Sequence, residues 1–225
     1  MTTSDDTLKQ YYAARAREYE QIYLKPERQA DLKRIAERLP PLMAGRRMLE
    51  VAYGTGYWTQ VLAPVARAIV AIDANRETLD VAGEKSWPAN RVEFRIADAY
   101  ALPDDLGVFD AAFAGFWWSH IPVLERARFF ASLHQRLTPG AVVVLLDNLY
   151  VAGSSTPISQ HDHDGNTYQR RRLKNGSEHR VMKNFPTEQA LVADVAHCAR
   201  APCFNKLDYY WLFQYVFQPG DEVTV

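Results

Sequence analysis

The sequence predicts an α/β fold on a mostly parallel sheet, and three observations carry that expectation. Short apolar runs alternate with amphipathic stretches between residues 29 and 146, the order that βαβ units produce. The first run, Met48-Leu49-Glu50-Val51-Ala52, passes through Gly54-Thr55-Gly56 directly into a helical pattern beginning at Tyr57. Glycines allow the chain to turn where a Cβ would block it, and a strand, a glycine turn and a helix start together suit a nucleotide-like ligand. The next run, Ala68 to Ile72, ends on Asp73 at a distance from Gly56 that holds one helix and one strand.

Taken in order, residues 7 to 40 read as helical. Tyr12, Arg15, Tyr19 and Tyr23 form one stripe at helical spacing, Pro26 ends or restarts the helix, and Leu32, Ile35 and Leu39 share a face before Pro40-Pro41 stops it. A helix over residues 57–65 follows the glycine turn. Strands are expected at 68–72, 92–96 and 109–115, the last leading into the aromatic loop F-W-W-S-H-I-P at 116–122. An amphipathic helix at 125–137 ends at Thr138-Pro139-Gly140, and Ala141 to Leu146 is a fifth strand. The alternation breaks over 151–186. There, Asn175-Gly176 predicts a hairpin whose two-residue turn sets Arg172 opposite His179 and Arg171 opposite Arg180. Facing arginines imply either a solvated face or an anion. A helix over 184–196, capped at Thr187, and an aromatic strand over 207–217 close the chain.

These 225 residues are enough for one domain with a full core. The expected division is a single domain over 1–225, with a helical cap at 1–43 and an inserted loop or hairpin at 151–186. With 48% apolar residues and a formal net charge of -1, the chain offers neither a disordered composition nor the basic surface that nucleic acid rewards. The opening M-T-T-S-D-D does not read as a signal peptide, and no apolar run approaches a membrane span. The expected setting is cytoplasmic, without a membrane or nucleic-acid partner. Cys198 and Cys203 are not in C-x-x-C spacing, and no histidine of matching spacing completes a metal site.

The acid at the end of the first strand gives the pattern E-x-x-x-G-x-G, from Glu50 to Gly56. A dinucleotide fingerprint would want a third small residue where Thr59 stands, after bulky Trp58. The pattern instead resembles the first motif of S-adenosylmethionine (SAM)-dependent methyltransferases of the Rossmann-like type. Y-Y-A-A-R-A-R-E-Y-E at 11–20 resembles the opening helix of many small-molecule methyltransferases, with Tyr12 favoured over Tyr11 as the contact, and L-T-P-G-A-V-V-V at 137–144 resembles the family's helix-to-strand turn. The resemblance implies a three-layer α/β/α Rossmann-like sandwich with a seven-stranded, mostly parallel sheet and an antiparallel last strand. It also implies SAM as cofactor, S-adenosylhomocysteine (SAH) as product and a small-molecule acceptor. Cofactor contacts are then expected from Tyr12, Glu50, Ala52, Tyr53, Gly54, Gly56, Trp58, Asp73, Ala74, Asp98, Ala99, Gly115 and Phe116. Asp73 would take the ribose hydroxyls and Asp98 the adenine amine, since a carboxylate accepts from both. Tyr53 departs from the family, which usually carries a small residue there; the ring enters the pocket or fills space beneath the loop.

The acceptor side is expected to use Trp117, Trp118 and Tyr168, because ligand pockets are mostly apolar with a few polar groups. His120 is the candidate general base, titrating near neutrality beside the fourth strand, and Ser119 is a further polar candidate. His161 and His163, with Asp162 and Asp164, read as a polar loop and not as a metal site. Two other functions are consistent with the pattern: a nicotinamide-dependent oxidoreductase, and a SAM-binding module without catalysis.

Overall fold

The computed structural model describes residues 4–220. Seven strands form one sheet: β1 (Arg47–Val51), β2 (Ala68–Asp73), β3 (Val92–Ile96), β4 (Phe109–Gly115), β5 (Leu137–Asn148), β9 (Ala199–Lys206) and β10 (Tyr210–Phe217). Their order across the sheet is β3-β2-β1-β4-β5-β10-β9. The first five pair in parallel, while β10 runs antiparallel to both β5 and β9. The fold is thus the expected Rossmann-like sandwich. The chain builds outward from β1 to β3, then returns to the other side of β1 with β4, so strand order reverses between β1 and β4. Crevices for ligands open at the carboxyl ends of strands at such a reversal.

Period-two alternation sends successive side chains to opposite faces. Leu49, Val51, Val70, Ile72, Val143 and Leu145 enter one apolar layer; Met48, Ile69, Ala71, Phe113, Val144 and Leu146 enter the other. The second layer is closed by Leu32, Ile35, Leu39 and Met43 of α2 (Gln29–Met43) and by Leu62 of α3 (Tyr57–Leu62). The first is closed by Phe129, Phe130 and Leu133 of α5 (Arg126–His134) and by Leu191 and Val195 of α6 (Glu188–Val195). Each fully buried aliphatic side chain contributes about 1.5–3 kcal/mol of transfer free energy.

Several boundaries differ from expectation. Residues 16–24 form a 3₁₀ segment after α1 (Ser4–Arg15), and α2 runs through Pro40 and Pro41 to Met43. Burial of Leu39 and Met43 holds that last turn despite the missing amide donors. The stretch Thr138-Pro139-Gly140 lies inside β5, where the pairing with β4 slips between Phe109 and Ala111. Strand β9 escaped sequence reading because its residues, including Arg200, Pro202 and Asn205, suit an edge and not a core. The segment 151–186 adds β6 (Ile158–His161), β7 (Thr167–Arg172) and β8 (Glu178–Met182) as a separate three-stranded sheet. Its turn has three residues, since Leu173 N–H donates to Ser177 O (2.9 Å) and Gly176 takes the left-handed conformation. The register therefore sets Arg171 opposite His179 and Arg170 opposite Arg180, one residue from the expected pairing. Helix α1 packs against β8, with Tyr11 5.4 Å from His179 between ring centres.

Candidate active site

The site grows from the turn after β1. Ala52, Gly54 and Gly56 all have positive φ (54°, 59° and 78°). A Cβ on Gly56 would stand 2.8 Å from the Trp87 ring, so both space and conformation require glycine there. A Cβ on Gly54 would meet nothing within 4 Å, because that backbone faces an open cleft. Asp73, at the end of β2 and 8% exposed, ties the turn down: Oδ2 accepts from Gly54 N–H (3.0 Å) and Oδ1 from Asn75 N–H (2.9 Å). Burial raises its pKa, opposed by the amides of Asn75 and Gly54. The Thr78 hydroxyl and the Ala74 amide lend further, weaker support to the carboxylate. Asn75 is also the N-cap residue of α4 (Arg76–Gly83), without a side-chain cap bond of its own.

The cleft encloses about 860 Å³, its open mouth included. Of the residues expected from sequence, Tyr12, Ala52, Gly54, Asp73, Ala74, Asp98, Ala99, Gly115 and Phe116 line it. His120 and Trp117 line it as well, which places Trp117 on the cofactor side of the expected division. Asp98 is exposed, and its Oδ1 accepts from Tyr100 N–H (2.9 Å). Tyr19, from the tyrosine stripe, lines it too, and Thr55, Asn75, Thr78 and Tyr100 do so without having been singled out; the types of these four carry no signal until the β-strand ends converge.

Six expected contacts lie elsewhere. Glu50 is 1% exposed beneath the turn; burial lifts its carboxyl to about 8, partly opposed by the Thr59 hydroxyl, and Oε2 has no hydrogen-bond partner. Tyr53 packs edge-on to Phe94 (4.9 Å) below the loop, so it fills space and does not enter the cleft. Gly56 shapes the turn from behind. Trp58 is buried among Tyr23, Tyr57 and Phe113. Trp118 is fully buried edge-on to Trp211, with the Arg126 guanidinium 4.2 Å above its ring. Tyr168 turns its hydroxyl away to Asp162 (2.8 Å). For Tyr53, Trp58 and Trp118 a large side chain near a strand end serves the core, because alternation and rotamer, not sequence position, decide which way it points.

His120 is fixed at both nitrogens. Nδ1 lies 2.7 Å from the Met182 carbonyl, which only accepts, so the neutral ring carries its proton there. Nε2, 2.7 Å from the Tyr12 hydroxyl, therefore accepts. Burial, and then the nearby Lys183 charge, hold His120 well below the usual imidazole range. Burial pushes the Tyr12 phenol up to about 12, so it stays a donor.

A second, larger cavity of about 1460 Å³, its open mouth likewise included, adjoins the cleft and shares Tyr12, Tyr19 and Phe116 with it. Its lining is basic: Arg15, Lys25, Arg28, Arg170, Arg171, Arg172, Lys174 and Lys183 stand against one carboxylate, Glu18. Lys183 is buried and donates to Asp147 Oδ1 (2.7 Å) and Ser119 Oγ (2.6 Å), while Asp147 Oδ2 accepts from Ser119 N–H (2.9 Å). Burial alone would raise the Asp147 pKa, but Lys183 beside it holds the carboxylate below its ordinary range. This triad was not read from sequence, since its members lie on three separate elements.

Two other polar groupings have their own geometry. Asp162 accepts from the backbone of Asp164 and Asn166 and from the side chains of Asn166 and Tyr168; burial opposes these bonds, yet they hold it at about 2. It organises the β6–β7 turn. Cys198, left without a partner in the sequence reading, lies 3.5 Å from His134 Nδ1, and these two with His197 place donor atoms within 4.8 Å of one another.

A family model described as a methyltransferase domain matches residues 48–140. A demethylmenaquinone methyltransferase of Clavibacter sepedonicus is 34% identical over 105 residues, covering 47% of this chain and 42% of that protein. A protein-L-isoaspartate O-methyltransferase of Rhodopseudomonas palustris (strain BisB18) is 27% identical over 138 residues, covering 60% and 55%. The chain thus spans about half the length of these curated relatives. The solved complex of DhpI with SAH superposes with a TM-score of 0.78 at 27% identity, covering 96% of this chain and 97% of that one. The matched stretch holds the glycine turn and the acid after β2, and the sheet order agrees with the fold of the SAH-bound DhpI neighbour, so the chain carries a methyltransferase-like domain over residues 48–140.

Proposed function

We propose that this protein transfers a methyl group from SAM to a small-molecule acceptor. The observation that carries the reading is Asp73: a buried carboxylate at the strand-order reversal, tethered to the glycine turn and lining the cleft. A two-oxygen acceptor at that place suits two neighbouring ribose hydroxyls. Asp98 is assigned the adenine amine, with Ala99 and Trp117 as apolar wall, and Ala52, Gly54 and Gly115 as backbone allowing close approach.

Bound SAM would supply a methyl group on a sulfonium, whose neutral thioether leaves readily. The chain's own part is then largely positioning and exclusion of water. Tyr12, Tyr19 and Phe116 form the wall common to both cavities, so the transferred methyl is assigned to that junction. His120 stands behind it as a neutral, weakly basic ring: its Nε2 lone pair orients the Tyr12 hydroxyl toward it and leaves that oxygen free to accept from a methyl-acceptor group at the junction. A soluble, cytoplasmic setting is part of the proposal; no described helix is long and apolar enough to cross a membrane. Residues 1–225 are proposed to act as one domain, with the N-terminal helices and the three-stranded sheet covering the strand ends.

Calorimetric titration with SAH, on wild type and Asp73→Ala, tests the cofactor assignment. Tight binding lost in the variant supports it; equal binding by both removes it. Methyl transfer from SAM across acceptors of differing charge then separates an enzyme from a binding module.

A further inference from the structure

We infer that the acceptor carries a compact oxyanion, bound in the basic cavity by Arg28, Arg171 and Arg15. The inference rests on the reading of the neighbouring cleft as the cofactor's. A chain of net charge -1 has gathered eight cationic side chains around one cavity, against a single carboxylate, and that carboxylate already pairs with Lys174 (3.4 Å). Lys183 is likewise answered by Asp147. The three guanidinium groups meet no carboxylate among the described residues and lie instead over neutral tyrosine rings, Arg15 over Tyr19, Arg28 over Tyr209 and Tyr210, and Arg171 over Tyr11. Arg28 is 8% exposed and donates only to neutral oxygens, Asn148 Oδ1 (3.0 Å) and Ser154 Oγ (3.2 Å), while its buried Nε has no partner. Arg171, half-buried, donates to the Gln169 amide oxygen (2.8 Å), and Arg15 to the Tyr11 hydroxyl (2.9 Å). No carboxylate among the described residues lies within salt-bridge distance of any of them.

Buried charge without a counter-charge disfavours folding, and a structural role would be filled more cheaply by apolar side chains. Guanidinium groups meeting in one chamber match carboxylate, phosphate and phosphonate oxygens, which accept in pairs along the planar fork. Neutral hydrogen-bond partners fix the orientation of Arg28 and Arg171 without neutralising them, leaving the charge for a ligand. The chamber shares Tyr12, Tyr19 and Phe116 with the cleft, so an anion held there belongs to a molecule that reaches the methyl group.

The test uses inorganic phosphate, sulfate and acetate as probes, titrated calorimetrically into the full chain with and without SAH. The expected result is saturable binding of at least one probe, weakened about tenfold or more by Arg171→Met and by Arg28→Met, with SAH affinity unchanged within about twofold; tenfold corresponds to one decade of Kd. Arg200→Met, on the exposed edge strand β9, should leave probe binding unchanged. Preference for phosphate and sulfate over acetate assigns a tetrahedral oxyanion, and the reverse a carboxylate. Arg171 is only half-buried, so its variant remains informative if Arg28→Met fails to fold. Absence of binding by all three probes, or equal binding by wild type and Arg171→Met, overturns the inference. Failure of SAH to bind overturns the cofactor assignment instead, while the SAH-free titration still reads the basic chamber.

Discussion

Two cavities separated by three aromatic side chains are built on opposite principles. In the cleft after β1, β2 and β4, recognition groups are backbone and carboxylate: Gly54, Asp73, Asp98, Gly115. In the chamber behind Tyr12 and Tyr19 they are long cationic side chains from α1, the segment that follows it, and the three-stranded sheet. The first is made by strand ends of a shared sheet, so its geometry follows from the fold. The second is made by elements laid over that sheet, so its chemistry is free to vary while the fold stays fixed. On the proposed reading, such a scaffold would hold a cofactor site beside a specificity site without either constraining the other.

The most severe way to break the second region is to unbalance its buried ion pair. Lys183→Met leaves Asp147 without its countercharge and should cost about 3–5 kcal/mol in denaturant unfolding; adding Asp147→Leu should recover much of that. Equal stability of Lys183→Met and wild type would show that the pair is not the brace between β5 and the small sheet. In the first region, Asp73→Ala removes two charge-assisted acceptors and should weaken SAH binding about 100-fold, near 3 kcal/mol, whereas Arg171→Met should not weaken it. Loss of SAH affinity in both variants would merge the two regions into one.

Glu50 offers a sharper test of the sheet beneath the cleft. Its carboxyl, raised by burial to about 8 from an ordinary 4.5, is protonated in the fold at pH values where the unfolded chain has lost the proton. The unfolded state then binds fewer protons, so stability falls as pH rises from about 4.5 to about 8, by at most about 1.4 kcal/mol per pH unit. Glu50→Gln should remove that slope and be the more stable protein at pH 8; parallel curves for the two would refute the buried, neutral carboxyl.

Smaller effects sit at the shared wall. Tyr12→Phe leaves Nε2 of His120 without its donor and should cost about 1–2 kcal/mol. In wild type, ¹⁵N NMR should find His120 neutral at pH 6 with the proton on Nδ1, because its pKa is held well below 6.5; an imidazolium at that pH would contradict the Tyr12–His120 arrangement. Least of all, Tyr53→Phe removes a buried hydroxyl with only a weak approach to the Thr78 side chain among the described residues, and should change SAH affinity less than about twofold and stability by about 1 kcal/mol or less. A large loss of affinity would return Tyr53 to the cleft wall.

The sequence by itself determined the cofactor half. Ala52, Gly54, Asp73, Asp98 and Gly115 could be placed along the cleft because each sits at the end of an apolar run, and all such ends meet at one edge of a parallel sheet. It also set the tyrosine stripe, through helical period alone. Tertiary structure decided the rest. Trp58, Trp118 and Tyr168 looked like pocket residues by position, yet rotamer and neighbours turned them into the core or toward Asp162. One residue in the hairpin turn re-paired the arginines of β7. The basic chamber draws Arg15, Arg28, Asp147, Arg171 and Lys183 from elements far apart in the chain. No local pattern records such a meeting, because charge carries no periodicity and burial of a cation is settled only when distant segments close over it.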